Sequence, residues 1–383
     1  MRLLTTLAIG VLLSPVPPAE AAQVLKVGPG EEYRTPCAAF AVAPDGATVT
    51  IDAAGSKDYR GDVCTITADR LRIKGVHGRP HIRAAGNSAE GKAIWVVKGD
   101  ETRISNVEMS GAKVADRNGA AIRSEGTDLF LTRVWFHHNE MGLLAGDDDQ
   151  SDIVISRSKF SDNGFGDGYS HNIYVNHIRS LRMAFSWSTR SDVGHLVKSR
   201  AARTVLFYNR FAGGRSSYEV DLPNGGLGLL VGNTVQQDQD TENAALVAFG
   251  EEGDLIPRSR LYLVGNTLVD DSGSGGTAVL LGDEVTDGVI VRNNVVVDFS
   301  TLAPEPAQLG GNCVTSRPRF QDRASLRYWL RPSSPCLDTT TIAQGLAGGY
   351  SLIPTRHYRH PLGSSRRDDQ GQIAGAFGTP RPG

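Results

Sequence analysis

Short stretches of this chain repeat, and that repetition limits its fold more than anything else in the sequence. One series reads KAIWVV (92–97), AAIRSE (120–125), MGLLAG (141–146), HNIYVN (171–176), GHLVKS (194–199), SYEVDL (217–222), AALVAF (244–249) and TAVLLG (277–282). A second series lies between its members, among them TRISNVEMSG (102–111), IVISRSKFSDN (153–163), TVLFYNRFAG (204–213) and VIVRNNVVV (289–297). Each copy is a short β-branched or aromatic run broken by Gly, Asn, Asp or Ser, which is strand-and-turn punctuation. The 44 glycines suit a chain of many tight turns. No fixed Leu/Asn frame of a leucine-rich repeat is present, and few Asn-Gly turns join matched strands as a hairpin sandwich requires. The pattern predicts an all-β fold, a right-handed parallel β-helix with two or three short strands per coil. Recurrent asparagines (Asn106, Asn139, Asn163, Asn209, Asn233, Asn266, Asn293) are expected at the bends, satisfying backbone groups.

The chain has 383 residues and a net charge of −2, so its composition carries no nucleic-acid-binding signature. Residues 1–22 have the Arg, apolar run and Ala19-Glu20-Ala21 pattern of a cleavable signal. No later apolar run is long enough for a membrane span. The expected product is a secreted or periplasmic monomer, with a β-helix and its N-terminal cap over 23–300 and a closing segment over 301–383. An oxidising compartment favours disulfides. Of the three pairings open to four cysteines, Cys37–Cys64 and Cys313–Cys336 are favoured because each is local.

The segment VLKVGPGEEYRTPCAAFAVAPDGATVTIDAAGSKDYRGD resembles the N-terminal cap and first coil of pectate-lyase-like β-helix proteins. LRIKGVHGRPHIRAAG resembles their next coil, and SSPCLDTT with RRDDQGQIAGAFG their closing segment. The resemblance covers nearly the whole chain after the signal. It implies activity on an acidic polysaccharide, with β-elimination as the leading chemistry. It does not by itself fix function, because one fold hosts many.

Coil spacing converts sequence into geometry, since neighbouring coils lie about 4.8 Å apart. Tyr174 and Lys198 are 24 residues apart, Lys198 and Asp221 are 23, and Asn176 and Arg200 are 24. With Val197 and Ser199 facing inward, Tyr174, Lys198 and Asp221 form an outward ladder beside Asn176 and Arg200. His171 and His195 lie at the leading edge with Tyr218 or Glu219. Residues 171–215 hold eight Lys/Arg and only Asp192 as acid, whereas 216–254 hold eight acids and no Lys or Arg. Such a band would attract an anionic ligand. Its acidic flanks would suit Ca²⁺, although no metal ligand set is identified.

Elimination needs a neutralised carboxylate, a base for the α-proton and an acid for the leaving oxygen. The resemblance implies an Arg or Lys base. Lys198 is the first candidate and His195 the second; Tyr174 is the proton donor; Arg200 and Asn172 hold the carboxylate. His171, Asn176, Tyr218, Glu219 and Asp221 complete the expected substrate contacts. Two alternatives stand beside this. One is a glycoside hydrolase using Glu219 and Asp221, which as i and i+2 residues would share a face. The other is a glycan-binding or envelope protein without catalysis, in which Lys198 and Asp221 are an ordinary cross-coil ion pair. His137-His138 and Asp147–Asp149 read as solvated turns, and Trp95, Trp135 and Trp187 as core or rim packing.

Overall fold

The computed structural model describes residues 23–54, 58–369 and 371–378. The signal assigned to 1–22 lies outside them. The described chain is 43% strand and 2% helix, wound into a parallel β-solenoid of about ten turns. Three sheets run its length, here called A, B and C in the order the chain visits them, with 12, 11 and 9 strands respectively. Pairing is parallel throughout these sheets, coil upon coil. For example, Leu131 of sheet A stacks on Ile155, Met183, Leu206, Leu230, Leu263 and Val291 in successive turns.

The bends explain why such short strands suffice. Between sheets A and B one residue per coil takes a left-handed conformation: Arg133 (φ 56), Arg157 (φ 48), Phe185 (φ 55), Tyr208 (φ 56) and Gly232 (φ 67). Val134 follows the first of these, but from Arg157 on the next residue is a small polar one (Ser158, Ser186, Asn209, Asn233) whose side-chain oxygen accepts a backbone N–H of the preceding coil. Asn209 donates from its N–H to Asn233 Oδ1 at 2.9 Å, Asn233 to Asn266 at 2.8 Å and Asn266 to Asn294 at 2.8 Å. Asn294 continues to Asn312 at 2.9 Å. Asn139, Asn163 and Asn172 form a second ladder at the other end of sheet B. These stacks satisfy buried amides that no strand can reach. Of the asparagines expected in this role, Asn293 is displaced by one: Asn294 is the rung, and Asn293 bonds Ile342.

The two ends are closed differently. At the start, Thr35 caps the helix Pro36–Phe40, accepting from the Ala38 N–H at 3.4 Å. Phe40 then packs edge-on against Trp95 with ring centroids 5.0 Å apart, so the helix lids the first coils. Cys37–Cys64 ties this lid down, and Cys313–Cys336 anchors the other end, both as favoured. Parallel strands continue to Cys313–Thr315, after which the chain makes three antiparallel hairpins. Phe320, Tyr328, Leu330 and Phe377 from this region cover Val269, Val295 and Val297 on the outside of sheet B. The outer face of sheet B therefore stays open only over the earlier coils. No helix among the described residues is long and apolar enough to cross a membrane.

Candidate functional site

Strands Ile173–Val175, Val197–Ser199 and Val220–Leu222 of sheet C build the site. Tyr174 lies beside Lys198, and Lys198 beside Asp221. Val175, Val197, Val220 and Leu222 turn into the core, leaving the three polar side chains outside in the expected column. Lys198 Nζ lies 3.1 Å from Asp221 Oδ2 and 2.5 Å from Glu252 Oε1. Arg200 donates from Nε to the Tyr174 hydroxyl at 3.1 Å, from Nη1 to Asn224 and from Nη2 to Glu252 Oε2. One carboxylate is thus shared by both cations, each oxygen taking one.

The histidines form the leading edge. His171 and His195 stack at 4.7 Å, and Tyr218 stacks on His195 at 5.3 Å. His171 Nδ1 accepts the His195 N–H at 3.0 Å, and His195 Nδ1 accepts the Tyr218 N–H at 3.2 Å. Both δ nitrogens are therefore lone-pair acceptors, and His195 presents its Nε2 to Asp221 Oδ2 at 3.4 Å. Gly194 makes this approach possible: a Cβ there would fall 1.7 Å from the Ser170 carbonyl oxygen and 2.9 Å from His171 Nδ1.

Charge states follow from burial and partners. Burial, reinforced by Lys198, pulls His195 down to about 3, and burial drives His171 well below the ordinary range. Both imidazoles are neutral near pH 7. Burial pushes Asp221 up to about 6 against the pull of Lys198. At Lys198 burial acts downward, but Asp221 and Glu252 outweigh it and hold the ammonium above its ordinary value. Burial raises Glu252 less than its bonds to Lys198 and Arg200 lower it.

Three expected contacts are not made. Asn172 is fully buried: its amide donates to Ser188 Oγ at 3.0 Å and to the Thr189 carbonyl at 3.0 Å, so it is a rung of the interior ladder. Asn176 follows the last paired residue, Val175, which lies beside Ser199, and its amide donates to the Ala145 carbonyl at 3.1 Å. Glu219 does not share a face with Asp221. It is 0% exposed, with one oxygen on Ser216 and the other without a partner among the described residues. One cause underlies both Asn172 and Glu219. At this bend two successive residues per coil face inward, as Leu196-Val197 and Leu246-Val247 do. Strict alternation fails there. Burial holds Glu219 well above the carboxylate range, and Glu219 and Asp221 do not form the outward carboxylate pair that a hydrolase needs.

The basic band is also dissolved by folding. Arg179 pairs with Asp152, Arg190 with Asp162, Arg215 with Asp192 and Glu242, and Lys198 and Arg200 with Glu252. Sequence blocks one coil apart are neighbours in space, so carboxylates of adjoining coils pair with six of the eight basic residues. Glu252 and Asn224 are the site residues that sequence reading missed. One coil beyond Asp221 the column holds Ala248. Glu252 reaches back from the following turn, where coil spacing gives no register. Of Asp147–Asp149, read as a solvated turn, only Asp147 lies outside a strand, where it is exposed and accepts from His177; Asp148 and Asp149 begin the strand Asp148–Ser156. No protein-family model matches this chain, and no curated protein matches it either.

Proposed function

We propose that this is an exported pectate-lyase-like protein that cleaves a uronate-containing polysaccharide by β-elimination on the outer face of sheet C. The observation that supports this most directly is the convergence of Lys198 and Arg200 on one carboxylate, that of Glu252. Glu252 stands where a substrate carboxylate would stand. Its side chain is 44% exposed on a turn, whereas Asp221 is 3% exposed. The Glu252 partner is therefore the one a ligand can replace. The two disulfides fit an oxidising compartment, in line with export.

In this reading the uronate carboxylate displaces Glu252 and pairs with Arg200, which spreads the negative charge that builds at the α-carbon. Lys198, as the free amine, takes the α-proton; the electron pair of that C–H bond forms the C=C bond. The glycosidic C–O bond breaks, and Tyr174 donates its hydroxyl proton to the leaving oxygen. His171 holds the His195 backbone, His195 holds Asp221 and the Tyr218 backbone, and Asp221 fixes Lys198. The raised Lys198 means that activity climbs with pH. The test is incubation with a panel of plant and bacterial uronate polysaccharides, following both ultraviolet absorbance of the unsaturated uronate and reducing ends. Both should rise. Reducing ends alone would mean hydrolysis, and neither rising on any substrate would end the catalytic reading.

A further inference from the structure

A second polar cluster lies on the open part of sheet B, over three consecutive coils. His81 begins strand His81–Arg83, Glu108 begins Glu108–Ser110, and His137 ends Trp135–His137. His81 pairs directly with Glu108 in register, while His137 sits two residues beyond Trp135, the Glu108 neighbour, and so on the same face. His137 is a buried strand residue, and only His138 is in the turn, contrary to the reading of both as a solvated turn.

The facing atoms converge. His137 Nε2 is 3.1 Å from Glu108 Oε1, and His81 Nδ1 is 3.4 Å from the same oxygen. Asp58 Oδ1 lies 3.1 Å from His81 Nδ1. Bonds of about 2.1 Å in a tetrahedral zinc site place ligand atoms roughly 3.4 Å apart. The two separations from Glu108 Oε1, 3.1 and 3.4 Å, are close to such edges, and the three ligand atoms all lie within 4.8 Å of one another. Arg83 Nε lies 3.1 Å from Asp58 Oδ2 and 3.3 Å from His81 Nδ1. Without an ion, a proton on His81 Nδ1 bridges to Asp58 or Glu108. With an ion, that lone pair goes to the cation and Arg83 keeps its bond to Asp58.

The surroundings fix the two imidazoles. His81 Nε2 bonds Ser110 Oγ at 2.8 Å, and His137 Nδ1 contacts His138 Nδ1 at 2.7 Å. Each ring thus has a partner on the nitrogen that points away from the cluster, as metal-binding histidines do. Trp135 packs at a 32° tilt against His137 with centroids 4.3 Å apart, and is itself pinned by Nε1–H donation to Ser161 at 3.1 Å.

We infer that His81, Glu108 and His137 bind one divalent cation of the zinc type, with Asp58 against His81 beside them. Two imidazoles select against Ca²⁺ and Mg²⁺, which prefer all-oxygen shells. The ion would clip successive coils of sheet B together, at a place separate from the sheet C site.

The test uses the whole protein after chelator treatment, titrated with Zn²⁺ by calorimetry, with elemental analysis and melting curves. One ion per chain and a higher melting temperature are expected. Glu108→Gln, which keeps size and shape, and His137→Ala should each weaken binding about 10- to 100-fold or more. Circular dichroism of both variants should match the parent. Absence of Zn²⁺ binding, binding unchanged in both variants, or tighter binding of Ca²⁺ than of Zn²⁺ would each overturn the inference. None of these readouts depends on lyase activity.

Discussion

The two polar clusters on the outside of the solenoid are built alike and finished differently. In each, one strand per coil presents one side chain, and stacking sets them about 5 Å apart. On sheet C the column combines two cations with two carboxylates, and Glu252 closes it from a neighbouring turn. On sheet B two imidazoles converge on Glu108, with Asp58 and Arg83 against His81. The first cluster satisfies itself until a carboxylate ligand competes. The second has more acceptors than donors and is completed by a cation. Coil geometry supplies proximity; residue type decides what the proximity is for.

The largest expected effect breaks the sheet C side. Lys198→Ala should lower uronate-polysaccharide turnover about 10²- to 10⁴-fold, the range for loss of one acid–base group. Circular dichroism should stay unchanged, and an unchanged rate would remove Lys198 from the mechanism. The corresponding loss on sheet B is of metal, so Lys198→Ala should leave Zn²⁺ binding intact.

Glu252→Gln sharpens the contrast between the replaceable and the fixed carboxylate. Removing this anion lowers the Lys198 pKa, so the alkaline rise in kcat/KM should begin at lower pH. Because Glu252 is 44% exposed, stability should change by under about 1 kcal/mol, measured by urea unfolding. A pH profile that does not move would show that Glu252 does not act on Lys198 in solution.

The stacked histidines make a smaller, pH-dependent contribution. His195 titrates near 6.5 when unfolded and about 3 when folded. The unfolded chain therefore binds more protons between these values, and stability present above pH 6.5 is lost as pH falls toward 3. Asp221 has the opposite sign: raised to about 6, it favours the fold below its unfolded value and loses that contribution as pH rises. His171, also depressed, adds to the histidine side. His195→Gln, which keeps a donor for Asp221 and an acceptor for Tyr218, should reduce the acid loss by about 1 kcal/mol per pH unit. Equal acid sensitivity in parent and variant would rule this out.

The smallest effect is at Glu219. Its buried carboxyl should tolerate Glu219→Gln with under about 1 kcal/mol change near pH 7. The variant should gain on the parent as pH rises, because the raised Glu219 pKa costs the parent stability there. Urea unfolding at pH 6 and 9 would check the sign.

Much of this was legible without coordinates. The alternating segments and bend asparagines specify a coil, and one coil of spacing correctly aligns Tyr174, Lys198 and Asp221. Local cysteine spacing leads to both disulfides. What was misread has physical reasons. Asn172 and Glu219 fall at a bend where alternation fails. The charged blocks seemed separate because they are contiguous in sequence, yet parallel stacking places each block against the next. Period and pattern are carried by strands, whose repeat is regular enough to count. Glu252 and Asp58 reach their partners from turns, and the length and path of a turn are set by packing against the coils around it. The sequence determined the solenoid and the residues in its columns; only the tertiary structure decided which turns close over them.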